Sequence, residues 1–239
     1  MISSNFSSTA LLANLPIIVK DDDNIFIFNM PTVEKEYGGI YSYSNLIFLC
    51  SASMTELEEH FKGVPFKSRY DLMKKICEHS SEDFGTSVIY CLSNIINDFE
   101  YVADSFRSGG KAISEEVFEL LCSYIAIATG HKEISYLKQK EEEKNMTAEE
   151  IAWEERKRKN EARIAKAKKK SGKLIEFDLI MACVCYEFHI PIKDLVQMNK
   201  YGVYFLYGKI GKISSYEVTK IAAGTGNLGS RNKHKYWTE

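Results

Sequence analysis

The chain has 239 residues, of which 45% are hydrophobic and 27% are charged, and its formal net charge is −2. This length and apolar content allow one or two domains with a buried core. The near-neutral charge argues against a dedicated nucleic-acid binder, whose domain is usually basic.

The cysteines and the apolar runs favour a protein of a reducing cytosol. Most of the six cysteines fall inside apolar helical segments, which predicts buried free thiols. The apolar residues from Leu11 to Val19 follow no basic region, so no signal peptide is predicted. The run from Leu174 to Ile190 contains three acidic residues, which are too costly in a bilayer core, so no membrane span is predicted.

The first part of the chain predicts a β-hairpin. Residues 1–14 are rich in Ser, Asn and Ala and are expected to form a loose arm. Two apolar runs, Ile17–Val19 and Ile25–Phe28, then flank the polar turn Asp21–Asn24, which is a hairpin signal. The three aspartates lack the loop spacing and the closing Glu of an EF-hand, so we expect a solvated turn rather than a calcium site.

The sequence after the hairpin predicts a bundle of helices. Ser53 with Glu56 forms a capping-box pattern, and Ser114 is expected to cap a later helix. The clearest apolar stripe runs through residues 81–99 at steps of three and four. Residues 1–137 are therefore interpreted as one hairpin-plus-helical domain. The helices of this domain are expected at residues 31–39, 40–52, 53–63, 68–79, 81–99 and 114–130.

Residues 138–172 form a charged segment between two more apolar regions. The stretch Lys138–Ser171 has no Pro or Gly and consists almost entirely of helix formers. Thr147 with Glu150 is a capping-box pattern, so a helix is predicted to start there and to run to about Lys170. A helix that is polar on every face does not pack in a core, so we interpret it as a linker helix that spaces two domains. A basic helix that docks on a partner or on RNA, and a disordered segment, are the alternatives.

Residues 173–239 predict a small C-terminal helical domain. Asn199 is expected to cap its third helix, and Ser214 or Ser215 its fourth. The predicted fold class is therefore mainly α, with an N-terminal β-hairpin and helical bundle, a long charged linker helix and a small C-terminal helical domain. The C-terminal helices are expected at residues 173–188, 191–198, 200–213 and 214–224.

No constellation of residues predicts catalysis or a bound cofactor. Residues 224–229 match G-x-G-x-x-G, but a helix precedes them and only ten residues follow, so no dinucleotide-binding unit can be built. Cys183, Cys185 and His189 fall short of a zinc site, because a structural site needs four ligands. The side chains of Cys77 and His79, two residues apart on a helix, diverge. We therefore predict no catalytic, metal-ligating or cofactor-binding residues, and no enzyme.

Aromatic residues are concentrated near the C-terminus. Tyr and Trp often anchor protein interfaces, although a domain this small also needs large side chains in its core. The basic residues around Trp237 would suit an acidic protein patch or a phosphate backbone. The candidate partner-binding residues are Tyr201, Tyr204, Tyr207, Tyr216, Lys235, Tyr236 and Trp237.

Three features follow one another in residues 174–239. They are the apolar helix LIMACVCYEFHI, a Tyr-rich helix and the terminal cluster His234–Trp237. Together with the helical N-terminal domain and the charged linker, this order resembles the tail assembly chaperones of long-tailed bacteriophages. The sequence departs from the pattern at Gly208 and Gly211, which stand where polar residues are expected between the tyrosines.

The resemblance implies a non-enzymatic chaperone or adaptor in the cytoplasm of the infected host cell. In that family the N-terminal domain coats the hydrophobic tape-measure protein and the C-terminal domain recruits tail-tube subunits, without a cofactor. Two alternatives belong to other classes. One is an accessory protein that contacts nucleic acid through Arg156–Lys173 and the basic tail. The other is a structural component of a virion tail or baseplate.

Overall fold

The computed structural model describes residues 2–38, 43–79, 84–132 and 176–224, with residues 38, 79 and 214–224 described by their backbone alone. The prediction of a mainly α chain is wrong, because two three-stranded antiparallel sheets accompany the helices in a mixed α and β fold.

In chain order the described elements are β1 (Ile2–Ser4), α1 (Ser8–Leu12), β2 (Ile17–Asp21), β3 (Asn24–Phe28), α2 (Val33–Gly38), α3 (Ser44–Ser51), α4 (Met54–His60), α5 (Arg69–His79), α6 (Phe84–Ile95), β4 (Phe99–Val102), β5 (Ser105–Ser108), β6 (Lys111–Ala112), α7 (Glu115–Ala128), α8 (Phe177–Phe188), α9 (Ile192–Leu195) and α10 (Lys200–Gly224).

The predicted hairpin is present as β2 and β3. Ile17 pairs with Phe28, and the register continues to Asp21 opposite Asn24. Side chains alternate along both strands, so the apolar residues of one face are buried, as expected for a sheet that lies on a core. The loose arm expected at the N-terminus is wrong, because residues 2–4 form β1 and pair with the open edge of β2.

A second sheet, which is absent from the sequence-based prediction, is formed by β4, β5 and β6. The stripe predicted as one helix up to Phe99 ends earlier, since α6 stops at Ile95 and Phe99 begins β4. Ala103 and Asp104 both have positive φ and form the tight turn into β5, as in a type I′ hairpin. The step from Ile95 to Phe99 suits a helical stripe, so periodicity alone did not reveal the boundary.

The main core lies between the first sheet and helices α1, α3, α5, α6 and α7. Helix α7 is buried on every side over its second half, where every residue from Leu121 to Ala128 is buried. Phe106 of β5 reaches this core and stacks on Phe118 of α7, with ring centroids 4.9 Å apart. This contact attaches the second sheet to the helical bundle.

Two of the predicted capping residues are confirmed. The hydroxyl of Ser53 accepts from the backbone N–H of Glu56, and the Glu56 carboxylate accepts from the backbone N–H of Ser53 at 2.8 Å. This reciprocal pair is the predicted capping box. The hydroxyl of Ser114 accepts from the backbone N–H of Val117 and caps α7.

The described structure contains free cysteines and helices of limited length. All six cysteines are free, and Cys50, Cys91 and Cys122 are buried, whereas the other three are half-buried. No helix within the described ranges is long and apolar enough to cross a membrane.

The C-terminal elements form a second, smaller apolar cluster. It joins the inner side of α8, Leu195 of α9 and part of α10, and it includes Val33 of α2. Asn199 caps α10 as predicted, since its side-chain oxygen accepts from the backbone N–H of Gly202 at 2.9 Å. The predicted break at Ser214–Ser215 is wrong, because α10 continues through it. Ser is only slightly unfavourable inside a helix, so a residue that caps well does not force a helix to stop.

The C-terminal elements lie directly on the N-terminal ones. The backbone N–H of Val33 donates to the carbonyl oxygen of Met198 at 2.8 Å, and the side-chain amide of Asn199 donates to the carbonyl oxygen of Leu11 at 2.7 Å. The linker was expected to space the two units, whereas these bonds join them. The linker, residues 138–172, lies outside the described residues, and the predicted domain boundaries remain a prediction.

Candidate functional site

A buried ion pair holds the start of α10 against α2. Nζ of Lys200 lies 2.6 Å from Oε2 of Glu36, whose side chain is 2% exposed. Burial raises the pKa of the Glu36 carboxyl above its ordinary value, and the Lys200 ammonium opposes this shift. Burial also acts to lower the pKa of Lys200, but its interactions with Glu36 and Tyr37 together outweigh burial, so that the Lys200 pKa is raised. Such a pair adds little net stability, whereas loss of one partner leaves an uncompensated buried charge.

Aromatic rings surround this ion pair. Nζ of Lys200 lies 4.7 Å from the ring centroid of Tyr37 and 5.5 Å from that of Phe177. The Phe177 ring also stacks on Tyr37 at 6.1 Å and meets the Tyr204 ring at 5.5 Å between centroids. An ammonium group over aromatic faces is attracted to them. The first turn of α8 is thus fixed to α2 and α10 by one cluster.

Tyr204 packs over the end of α7 at Gly130. The glycine has a φ of +75°, and a Cβ added there would lie 2.7 Å from Cε2 of Tyr204. Both the left-handed backbone and the ring require glycine at this position. Tyr204 is therefore part of the contact between the C-terminal helices and α7, although it is 40% exposed.

The structure places the predicted partner-binding residues in different surroundings. Tyr201 is half-buried against the main core, and Tyr207 packs within the smaller cluster. Tyr204 packs against the Phe177 ring but remains partly exposed. Tyr216 lies in α10 beyond the described side chains, and residues 235–237 lie outside the described part of the chain. A role of these residues in partner binding remains a prediction.

Helix α8 has apolar residues on both sides but is covered on one. Ile180 and Val184 are buried in the smaller cluster, next to side chains of α10. The opposite side carries residues spaced i, i+3, i+4 and i+7, which share one face of a helix. We call this set the outer face of α8, and its members are Leu179, Ala182, Cys183 and Tyr186.

The outer face of α8 is exposed with the described residues in place. Leu179 is 56% exposed and Tyr186 is 80% exposed, with Ala182 exposed between them. A helix that is apolar all round is normally buried on all sides. Contiguous exposed apolar residues mark sites of protein association. The outer face of α8 is therefore a candidate protein interface.

No protein-family model matches this chain. No curated protein and no solved structure matches it either.

The outer face was missed in the sequence because the predicted helix at residues 173–188 was interpreted as having one core-facing stripe. The positions of that stripe are Leu174, Phe177, Ile180, Met181, Val184, Cys185 and Phe188. A signal was present, since residues 176–190 contain no Lys or Arg, and Leu179 and Tyr186 fall between the positions of the stripe. Periodicity shows which side a helix buries only when the other side is polar. In α8 neither side is polar.

The cysteines considered for catalysis or metal binding lie in surroundings that favour neither role. Burial raises the pKa of the Cys77 thiol to about 12, which disfavours the thiolate that a nucleophile needs. Cys183 and Cys185 lie on α8, and His189 is its left-handed C-cap. Among the residues that the structure describes, no group of three or more His, Cys, Asp or Glu could hold a metal ion. That the protein is not an enzyme and binds no cofactor or metal remains a prediction.

Proposed function

We propose that this protein is a non-enzymatic adaptor or chaperone that binds another protein on the outer face of α8. The single observation that carries the proposal is that α8 has apolar residues on two opposite sides but is covered by the described chain on one of them only. Association of an amphipathic helix with an apolar helix face is a recurring mode of recognition.

The packing of the inner side of α8 holds its outer face in a fixed position. Val184 is fully buried, and the rings and the ammonium group around Phe177 fix the first turn of the helix. Binding to a rigid element costs less conformational entropy than binding to a loop. A partner would therefore meet a preformed surface.

The wider role that we propose is tail assembly of a long-tailed bacteriophage, in the cytoplasm of the host cell. In this role the N-terminal domain would shield a tape-measure-like client, and the C-terminal domain would recruit tail-tube subunits. Shielding keeps apolar segments from aggregating before assembly. The order of features in residues 174–239 and the exposed apolar face of α8 support this role.

The test is affinity purification of binding partners from cells that express the protein from its native genome. Tagged full-length protein is compared with a variant that combines Leu179→Ser and Tyr186→Ser. Ile25→Ser is the matched control, because Ile25 is 53% exposed but lies on β3. We expect partner recovery to fall at least about tenfold in the α8 variant and to stay unchanged in the control, as for interface anchors.

Equal recovery by the α8 variant and the control would overturn the proposed interface. Recovery of tape-measure and tail-tube proteins, with the protein absent from mature particles, is the result expected for a tail assembly chaperone. Presence in purified particles would favour a structural component instead. Recovery of nucleic acid that weakens steeply with salt would favour the accessory protein.

A further inference from the structure

The outer face of α8 has an acidic rim. Asp178 and Glu187 lie on opposite flanks, each about a quarter turn from the centre of the face. Asp178 is exposed and Glu187 is half-buried, and exposed Glu176 precedes the helix. Residues 176–190 carry these three acids and no Lys or Arg.

Among the described residues, Lys193 of α9 and Lys200 of α10 have acidic neighbours of their own. On α9, Lys193 and Asp194 are both exposed and offset each other in charge. Lys200 is paired with Glu36. On α10, Nζ of Lys209 lies over the Phe205 ring at 4.8 Å. The side of α10 that packs in the smaller cluster with α8 is apolar, through Val203, Leu206 and Ile210.

We propose that the outer face of α8 binds an amphipathic helix of another protein whose apolar stripe is flanked by Lys or Arg. This inference rests on the proposed adaptor function and adds the chemistry of the partner. The small side chains of Ala182 and Cys183 lie between the larger Leu179 and Tyr186, so one large side chain of the partner fits between them. The basic flanks of the partner then meet Asp178 and Glu187.

A second copy of this chain fits the face less well than a basic helix. Pairing of two α8 helices would gather Glu176, Asp178 and Glu187 of both copies around one interface. Helix α8 contributes no Lys or Arg to offset them. Like charges at a rim disfavour association, so the acidic rim selects a basic partner and opposes self-association.

The experiment measures binding of two labelled synthetic helical peptides to the full-length protein by fluorescence anisotropy. Both peptides share one stripe of Leu at i, i+3, i+4 and i+7, and their flanking residues are Lys in one and Glu in the other. We expect the Lys-flanked peptide to bind roughly tenfold more tightly at low salt, as for several exposed charge pairs. The difference should shrink to about twofold in 0.5 M salt, because exposed charges are screened.

Two variants separate the apolar face from its rim. Asp178→Asn combined with Glu187→Gln should reduce the preference for Lys flanks to about twofold while both peptides still bind. Leu179→Ser combined with Tyr186→Ser should weaken binding of both peptides at least about tenfold. Ile25→Ser should leave both affinities unchanged, and thermal unfolding confirms that every variant is folded.

The outcomes separate failure of this inference from failure of the adaptor function. Equal binding of the two peptides, or tighter binding of the Glu-flanked one, would overturn the proposal that the partner is basic. Binding of neither peptide would overturn a helical occupant, while partner recovery from cells decides the adaptor function separately. Sedimentation could instead show a dimer that dissociates in the Leu179→Ser variant. The outer face would then bind a second copy of the chain, and the inference would be overturned.

Discussion

Helices α7 and α8 are alike in composition and differ in what covers them. Both are apolar on more than one side, and neither contains Lys or Arg. The sheets and helices of the main core bury α7 from Leu121 to Ala128, whereas the outer face of α8 remains exposed. An apolar helix is stable when its apolar sides are covered, but its own sequence does not say whether its own chain or another protein covers them.

The largest effect is expected for a side chain of α7 that its own chain buries. Phe118 is fully buried and stacks on Phe106. Phe118→Ala removes this contact and leaves a cavity, so the free energy of unfolding should fall by about 3–5 kcal/mol. Chemical denaturation followed by circular dichroism measures it. A loss below about 1 kcal/mol would break the comparison, because α7 would then not depend on its own chain.

A similar loss of stability at neutral pH is expected when the ion pair between Lys200 of α10 and Glu36 of α2 is broken. Lys200→Met leaves the carboxylate of Glu36 buried and uncompensated, which should cost about 3–5 kcal/mol of unfolding free energy at pH 7. The double variant Lys200→Met with Glu36→Gln removes the unpaired charge and should recover most of that loss. Denaturation of the two variants in parallel checks this, and no recovery in the double variant would contradict the role of the charge.

The loss caused by Lys200→Met should depend on pH. Burial already raises the pKa of Glu36, so the folded chain binds that proton more tightly than the unfolded chain does. The corresponding stability is present below the unfolded pKa and is lost as pH rises through the folded one. Without Lys200 the upward shift of the pKa grows, so the variant should be closest to wild type near pH 4.5 and furthest from it near pH 7. An equal loss at both pH values would argue against a buried carboxylate.

An intermediate effect is expected at the bond that joins α10 to α1. Asn199→Ala removes the cap of α10 and the donor to the carbonyl oxygen of Leu11, which should cost about 1–2 kcal/mol. Asn199→Ser keeps a neutral acceptor for the Gly202 N–H and is too short to donate to Leu11, so it tests the contact between the units. Thermal unfolding of both variants measures the two contributions. Full stability in Asn199→Ser would mean that the bond to Leu11 contributes nothing.

The smallest effect is expected on the outer face of α8. Leu179→Ala shortens an exposed side chain and keeps a strong helix former, so unfolding free energy should change by at most about 0.5 kcal/mol. Denaturation under the conditions used for Phe118→Ala compares the two helices directly. A loss above about 2 kcal/mol would show that the protein's own chain covers this face, and the distinction between α7 and α8 would disappear.

Local signals in the sequence predicted local structure well. The hairpin of β2 and β3, the capping box of Ser53 with Glu56, and the caps at Ser114 and Asn199 are confirmed. Each depends on residues a few positions apart, whose preferences act before the chain folds further. The second sheet was missed because Phe99 continued a helical spacing that the tertiary fold cuts short at Ile95.

The candidate site was less accessible to prediction. The tyrosines Tyr201 and Tyr207 were singled out by residue type, but both pack into apolar clusters. Leu179 and Tyr186 were not predicted as site residues, because the sequence of α8 shows apolar residues on two sides but not which side the fold leaves exposed. The pairing of Glu36 with Lys200 joins residues far apart in sequence, so only the structure reveals it.

The environment of Lys200 makes the reactivity of its amine a measure of whether α10 is packed against α2. An amine that is half-buried, protonated and held between a carboxylate and two rings reacts slowly with acylating reagents, which need a free neutral amine. Lys193 is exposed and should be acylated quickly. The ratio of labelling at these two lysines, read by mass spectrometry, would follow detachment of α10 from α2 at single-residue resolution.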